Sequence, residues 1–259
     1  MKNFTLAAYS EYLKAIKTSY SNILRFCDYF SLQKSPESFI IIRHDVDRKP
    51  KNALRMALLE SEMGICSTYY FRTRPHTFHP QIISNIAKLG HEIGYHYEDL
   101  SDAKGDEKAA IRNFKTNLAS LRQIVPVRTI AMHGSPLSRH DNRDLWRIPK
   151  NHELLHSSLQ IFGEVYLDIN YTDIAYITDT GRNWRTDKSN RRDLVISKVK
   201  PFLENSRSML DCLQKARYHK LILQVHPERW SGSNIEYFTQ WTRDLIANFT
   251  KASIRHTWR

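Results

Sequence analysis

Cysteine and glycine are both scarce in this 259-residue chain. The three cysteines are far apart and odd in number, so they fit neither a disulfide framework nor a Cys-x-x-Cys metal site, and a reducing compartment is expected. With only eight glycines, the chain contains no Gly-x-Gly-x-x-Gly, which argues against a loop that cradles the phosphates of a dinucleotide.

Long hydrophobic runs are also missing. The densest apolar run, 39–42, has the length of a β-strand, and no window approaches the roughly 18 apolar residues of a membrane-spanning helix. Residues 1–19 lack the long apolar core and the small-residue cleavage site of a secretory signal. We therefore predict a cytoplasmic protein without a transmembrane segment.

Basic residues outnumber acidic ones. The chain has 39 Lys and Arg residues and 27 Asp and Glu residues, a formal net charge of +12. This balance favours an anionic partner, such as a nucleic acid, a membrane surface or a phosphate-linked substrate. The densest basic stretch, 182–192, has no ladder of aromatic residues on which bases could stack, so no specific nucleic-acid partner is predicted.

The order of the predicted elements is that of an α/β protein. Helical spacing of apolar residues predicts an N-terminal helix over 6–27, and strand-like runs then alternate with helices. Strands are predicted over 38–43, 66–71, 92–97, 127–132, 164–170, 174–178 and 220–225, and helices over 52–63, 80–89, 106–124 and 206–216. Because helical crossovers join parallel strands, a barrel or a wound sheet is predicted. The strands 164–170 and 174–178 are too close for a crossover helix and are predicted to pair as a hairpin.

Polar side chains that can bind metals or transfer protons follow four of the predicted strands. They occur in His44-Asp45-Val46-Asp47, His96-Tyr97-Glu98, His133-Gly134-Ser135 and His226-Pro227-Glu228. In parallel α/β folds the carboxyl ends of the strands converge on one edge, where functional sites form. We therefore predict a metal site or an acid–base site at this edge.

The pair Asp45 and Asp47 is the sharpest local feature. Residues two apart face the same side of a strand, so both carboxylates can point into one pocket. A divalent cation on one carboxylate would relieve their repulsion and leave the other as a base. With His96 and His133 nearby, nitrogen and oxygen ligands are mixed, which suits Zn²⁺, Co²⁺, Ni²⁺, Mn²⁺ or Fe²⁺.

These motifs resemble the polysaccharide deacetylases, the NodB-like domain of carbohydrate esterase family 4. The resemblance rests on Asp45-Val46-Asp47, on Gly-His-Glu-Ile-Gly-Tyr-His over 90–96, and on a late strand that ends before His226. It spans 38–230 and implies a distorted (β/α)7-type barrel, within a single domain over 1–259 that has an added N-terminal helix. The implied activity is metal-dependent hydrolysis, with zinc preferred, of an N- or O-acetyl group on a sugar or glycan precursor.

The chain departs from the family pattern at one metal ligand. The second histidine of the pattern falls at Leu100, and two replacements are open, His133 or Glu98. We favour His133, because its predicted strand adjoins the strand that carries His96. The expected metal ligands are therefore Asp47, His96 and His133. By its chemistry, Asp45 beside the metal is assigned as the general base and His226 on the opposite wall as the general acid, and the two aspartates could exchange roles.

Four further residues are predicted to bind substrate. Asp179, Arg182 and Trp184 occupy a loop after a predicted strand, which could equally be a plain β-turn at Gly181. Trp230 follows His226 and could either stack on a sugar ring or belong to the core. In the family, a late Asp and Trp also help to orient the acid and the base.

Two other functions remain open. One is a glycan-binding module of the same fold that has lost catalysis, which metal binding would test. The other is a glycosyltransferase that uses Asp-x-Asp to hold a metal and a sugar nucleotide. In such enzymes the pair usually follows a full nucleotide-binding half of the chain, whereas here it occurs at residue 45.

Overall fold

A computed structural model describes residues 3–184 and 193–243 of the chain. Its helices are α1 (Leu6–Ser19), α2 (Phe26–Ser31), α3 (Pro50–Glu62), α4 (Pro80–Lys88), α5 (Asp99–Asp102), α6 (Glu107–Arg122), α7 (Asp144–Arg147), α8 (Pro149–Ser157) and α9 (Ser206–Gln214). Its strands are β1 (Ile23–Leu24), β2 (Phe39–Val46), β3 (Thr68–Phe71), β4 (Glu92–Tyr97), β5 (Thr129–Met132), β6 (Gly163–Glu164), β7 (Ala175–Thr178) and β8 (Lys220–Val225). A short 3₁₀ turn covers Pro227–Arg229, and 234–243 is helical.

A parallel sheet forms the centre of the described structure. Its strand order is β6-β5-β4-β3-β2-β8-β7, and β1 adds to β2 beside this path. Each of these strand pairs is parallel, as helical crossovers require. The fold is the predicted distorted (β/α)7-type barrel, with α1 added before it.

The predicted hairpin near residue 170 is wrong. Strands β6 and β7 lie at opposite ends of the strand order, and each is parallel to its neighbour. Strand β6 stops at Glu164 because the chain turns there. The Glu164 side chain accepts hydrogen bonds from the backbone N–H groups of Tyr166 (2.7 Å) and Leu167 (2.9 Å), which ends the extended conformation.

The predicted helix over 6–27 is also too long. Helix α1 ends at Ser19, and the next residues are extended because Ile23 and Leu24 pair with Ile40 and Ile41 of β2. Helix α1 packs beside α9, and its apolar face joins the core on that side of the sheet. Pairing with a neighbouring strand has therefore overridden the helical pattern of the sequence.

Strand β2 runs from the apolar core to the candidate functional site. All eight of its residues are buried, and it extends beyond the predicted 38–43 because Arg43 to Val46 pair with β3. Alternation places Arg43 and Asp45 on one face. His44 lies on the other face, where its Nε2 is 2.7 Å from Oε1 of Glu60 in α3 and its ring stacks on Tyr69.

Gly94 provides a test of how tightly this part of the sheet is packed. A Cβ at residue 94 would lie 2.2 Å from Cε1 of Tyr70 and 3.0 Å from the carbonyl oxygen of Thr129. We expect Gly94→Ala to lower the free energy of unfolding by about 1–3 kcal/mol, measured by urea denaturation. Gly232→Ala is the control, because its Cβ would meet its nearest neighbours at 3.5 Å. Equal stability losses in the two variants would contradict the packing argument.

Candidate metal and acid–base site

The predicted ligands meet at the carboxyl ends of neighbouring strands. Asp47 directly follows β2, His96 lies in β4, and His133 directly follows β5. The backbone N–H of His133 donates to the carbonyl oxygen of Tyr97 at 2.8 Å, so the pairing of β5 with β4 continues into the site. The sheet thus fixes the Cα positions of all three residues.

Asp47 lies between the two imidazole rings. Its Oδ1 is 3.4 Å from Nε2 of His96 and 3.6 Å from Nε2 of His133. Two ligands of a tetrahedral zinc ion, with bonds of roughly 2.0–2.2 Å, are themselves about 3.4 Å apart. Asp47 Oδ1 is buried without a hydrogen-bond partner among the described residues. An orphaned carboxylate oxygen with two imidazole nitrogens is a donor set that fits a divalent metal.

Both histidines have their second nitrogen fixed by an acceptor. Nδ1 of His96 donates to the carbonyl oxygen of Ala131 at 2.9 Å, and Nδ1 of His133 lies 3.0 Å from Oε2 of Glu98. These contacts leave the Nε2 lone pairs available on the side of Asp47, which is the arrangement found around metal-binding histidines. The ring centroids of His96 and His133 are 5.3 Å apart.

Glu98 supports His133 from behind. Arg72 and Arg74 also bind its carboxylate, at 2.6–2.8 Å. Burial alone would raise the pKa of Glu98, but His133 and the two guanidinium groups hold it well below its usual range, so the carboxylate stays an acceptor. Leu100 packs in the apolar core. Two residues were considered as substitutes for the histidine that the family pattern has at Leu100. Of these, His133 faces Asp47, and Glu98 orients His133.

Asp45 is held ionised at the edge of the same site. Arg43 binds both of its oxygens, at 2.7 and 2.8 Å, and Gln224 of β8 donates to Oδ2 at 2.6 Å. Burial would raise the pKa of Asp45, but Arg43 and His96 outweigh it and lower the pKa. Asp45 Oδ2 lies 3.5 Å from Nε2 of His96, so the carboxylate borders the candidate metal ligands.

Arg43 and Gln224 were missed by the sequence reasoning, although their positions contain a signal. Arg43 is two residues before Asp45 on the same face of β2. Gln224 is the direct partner of Arg43 in β8. A charged residue inside an apolar strand requires a partner of opposite charge. For Arg43, the nearest acidic residue on the same face of the strand is Asp45, so the sequence could have predicted this ion pair.

His226 is oriented by Asp179. Nδ1 of His226 is 2.6 Å from Oδ1 of Asp179, whose Oδ2 accepts from the His226 backbone N–H at 3.0 Å. Trp230 Nε1 donates to the same Oδ2 at 2.9 Å. Burial and Arg229 lower the pKa of His226, but the Asp179 carboxylate outweighs them and raises it to about 9. His226 is therefore a protonated imidazolium at neutral pH, as a general acid must be.

Three of the residues predicted to bind substrate are buried. Asp179 and Trp230 have 0% exposure, and Trp184 has 2%. Trp184 packs in the core, where its ring stacks on that of Phe4 with centroids 5.3 Å apart. Neither face of the ring is therefore exposed for stacking on a sugar. We assign Asp179 and Trp230 instead to the positioning of His226.

Arg182 remains a predicted substrate residue. It is partly exposed, and its guanidinium lies 4.5 Å from the ring centroid of Tyr237 and 5.5 Å from that of Phe4. The rest of the basic stretch that begins here, 185–192, falls outside the described residues.

A second cluster of possible metal ligands lies elsewhere in the described ranges. His152 and His156 share one face of α8, and Asp168 follows β6. The Nε2 of His152 is 2.8 Å from Asp168 Oδ1, and all three ligand atoms of this cluster lie within 4.8 Å of one another. The spacing of four residues between the two histidines is a helical signal that the sequence reasoning passed over. Metal measurements on this protein must separate the two clusters.

Comparison with known proteins finds matches among solved structures. No protein-family model and no curated protein matches the chain. The solved structures that do match include deacetylases and pseudoenzymes of carbohydrate esterase family 4, the family that the sequence motifs resemble. No helix in 3–184 or 193–243 is long and apolar enough to cross a membrane.

The matched structures are distant from this chain. Peptidoglycan deacetylase PdaC from Bacillus subtilis is 11% identical, with a TM-score of 0.39, over 86% of this chain and 98% of that one. The Xyl-CE4 domain of a multidomain xylanase from the hindgut metagenome of Trinervitermes trinervoides is 12% identical, with a TM-score of 0.36, over 73% and 88%. A CE4 family pseudoenzyme from Bacillus anthracis is 13% identical, with a TM-score of 0.39, over 75% and 69%. At these values, function must be judged from the site of this chain.

Proposed function

We propose that this protein is a metal-dependent deacetylase that acts on an N- or O-acetylated sugar or glycan precursor. The observation that supports it best is the buried Oδ1 of Asp47 between the Nε2 atoms of His96 and His133. Two nitrogens and one carboxylate oxygen suit Zn²⁺ first, and also Co²⁺, Ni²⁺, Mn²⁺ and Fe²⁺.

The residues around this site can carry out the proton transfers of acetyl hydrolysis. A bound divalent metal supplies Lewis acidity, which polarises an acetyl carbonyl and acidifies a water molecule. Asp45, kept ionised by Arg43, accepts the proton of the attacking water. His226, kept protonated by Asp179, donates a proton to the leaving nitrogen or oxygen of the sugar. The acid and the base thus have opposite ionisation states at neutral pH, as this chemistry requires.

Metal analysis combined with acetate release tests the proposal. The protein is stripped with a chelator, reloaded with one metal at a time and incubated with a panel of acetylated sugars and precursors. The double variant His152→Ala/His156→Ala serves as the background, since it removes the second cluster and leaves the proposed site intact. We expect about one bound metal per chain and acetate release that depends on it. Failure to bind metal at micromolar concentration would exclude the hydrolase.

The two alternative functions predict other results in the same experiment. A glycan-binding module would bind sugar and release no acetate. A glycosyltransferase would transfer sugar from a nucleotide donor.

A further inference from the structure

Two histidines and an aspartate meet beside β6, the strand at one end of the strand order. His152 and His156 lie one turn apart on α8, with ring centroids 4.8 Å apart, and Asp168 follows β6. Nε2 of His152 is 2.8 Å from Oδ1 of Asp168, and Nε2 of His156 is 4.0 Å from Oδ2. We call these three residues the α8 cluster. None of them belongs to the candidate site described above.

His156 is oriented by a contact on the far side of its ring. Its Nδ1 donates to the carbonyl oxygen of Ile161 at 2.9 Å. In the neutral ring this contact places the proton on Nδ1 and the lone pair on Nε2, which is the nitrogen that faces Asp168. A metal-binding histidine is commonly oriented by such a hydrogen bond to a carbonyl group. His156 therefore has the tautomer and the orientation of a metal ligand.

Asp168 is also held in place. Its Oδ2 accepts from the backbone N–H of Glu164 at 2.6 Å, and its own backbone N–H donates to the carbonyl oxygen of Glu164 at 3.0 Å. Among the residues that the structure describes, only the two histidines lie within ion-pair distance of this carboxylate. Since no lysine or arginine there neutralises its charge, the carboxylate is available to a divalent ion.

The helix that carries the two histidines is anchored on its other side. Leu155 is buried in the apolar core, and so is Ile161, which accepts the hydrogen bond of His156. The three side chains of the α8 cluster are each partly exposed. The backbone that holds the cluster is thus fixed by packing, while an ion can reach the ligand atoms from solvent.

We propose that the α8 cluster is a second metal site, which binds a divalent transition metal such as Zn²⁺. Its donors are two imidazole nitrogens and one carboxylate oxygen, which also suit Co²⁺, Ni²⁺ and Cu²⁺. Ligands of a tetrahedral ion, with bonds of roughly 2.0–2.2 Å, are about 3.4 Å apart. The ligand atoms of the cluster lie within 4.8 Å of one another, so rotations of the side chains can bring them to this separation. Water completes the coordination on the exposed side.

An ion at this site joins α8 to the segment that follows β6. Strand β6 has only two residues, and among the described strands it pairs with β5 alone. Few hydrogen bonds of the sheet therefore hold this edge, and metal ligation adds a link between the elements that cover it. The role of the ion is structural, and the inference does not rest on the proposed function.

Counting the bound zinc tests the site. The full chain is stripped with a chelator and equilibrated with micromolar Zn²⁺, and the zinc bound per chain is measured. We expect the wild type to bind about one ion more than His152→Ala/His156→Ala. His76→Ala/His79→Ala is the matched control, because it also removes two exposed histidines and leaves the α8 cluster intact. Equal zinc counts in the wild type and His152→Ala/His156→Ala would overturn the proposal, as would the same loss in the control.

Asp168→Asn tests whether the carboxylate is a ligand. The amide oxygen can still accept the hydrogen bond of Glu164, so the local structure is kept while the charge is lost. Competition with a chromophoric chelator measures the affinity for the zinc equivalent that His152→Ala/His156→Ala removes. We expect its Kd to rise about tenfold or more in Asp168→Asn. An unchanged Kd would overturn the three-ligand site, because the histidines alone would then hold the ion.

Hydrogen exchange tests the structural role. Peptides that cover 149–168 are followed by mass spectrometry with and without Zn²⁺. We expect zinc to slow exchange in these peptides in the wild type and in the control, and not in His152→Ala/His156→Ala. The double variant keeps Asp47, His96 and His133, so an ion at those ligands cannot produce this difference. Zinc binding that leaves the exchange of 149–168 unchanged would overturn the structural role.

Discussion

Asp47→Ala is expected to remove most of the metal from the proposed site and to lower kcat/KM for acetate release roughly a thousandfold. The reason is that Asp47 Oδ1 lies near both imidazoles, at 3.4 and 3.6 Å, so without it only the two imidazole nitrogens would be left to hold the ion. Metal content after dialysis and steady-state acetate release measure the two effects. His96→Ala should give the same pair of losses.

Asp45→Asn is the matched control for this experiment. The amide oxygen can still accept a hydrogen bond from Arg43, but the amide cannot take the proton of the attacking water, so we expect metal to be retained and the rate to be lost. Were Asp45→Asn to empty the site while Asp47→Asn kept its metal, the roles of the two aspartates would be reversed.

The pH profile of Asp179→Asn should show the second large effect. In the wild type, a general acid whose pKa is about 9 is active below that pH and loses activity as the pH rises through it. Without the Asp179 charge, burial and the Arg229 guanidinium lower the pKa of His226 toward or below the ordinary 6.5. The alkaline limb of kcat should therefore move toward acid by about two pH units or more.

His226→Ala completes this test. Loss of a general acid lowers the rate by about 10²–10⁴-fold and should remove the alkaline limb, while bound metal stays at the wild-type level. A limb that persists unchanged in this variant would make His226 a structural residue.

The sequence predicted the strands and the convergence of the site because both follow from local rules. Strands β4 and β8 have the predicted bounds, 92–97 and 220–225, since β-branched and aromatic runs end at polar residues there. In a parallel sheet, strand ends meet at one edge. The structure accordingly brings Asp47, His96 and His133 together from three strands.

The parts that were missed depend on contacts between distant segments. Trp184 and Trp230 lie in the core under α1 and Phe4, and the sequence alone does not decide between such burial and a ring exposed for stacking. The hairpin was predicted because the two strand segments are close in the sequence. In the structure, β6 and β7 lie at opposite ends of the strand order and do not pair with each other. Short strands such as β6, with two residues, have too little pattern to predict their partner.

The three proposed ligands come from the carboxyl ends of β2, β4 and β5, and this has a consequence for the stability of the protein. An ion held by Asp47, His96 and His133 would act as a removable cross-link that closes the chain between residues 47 and 133. In the unfolded chain, the same three ligands could bind the ion only after this long loop had closed, which costs conformational entropy. Such an ion would therefore bind the native state selectively and add about 4 kcal/mol of stability at a thousandfold excess over its dissociation constant. The folded lifetime of this protein would then follow the metal supply of its surroundings.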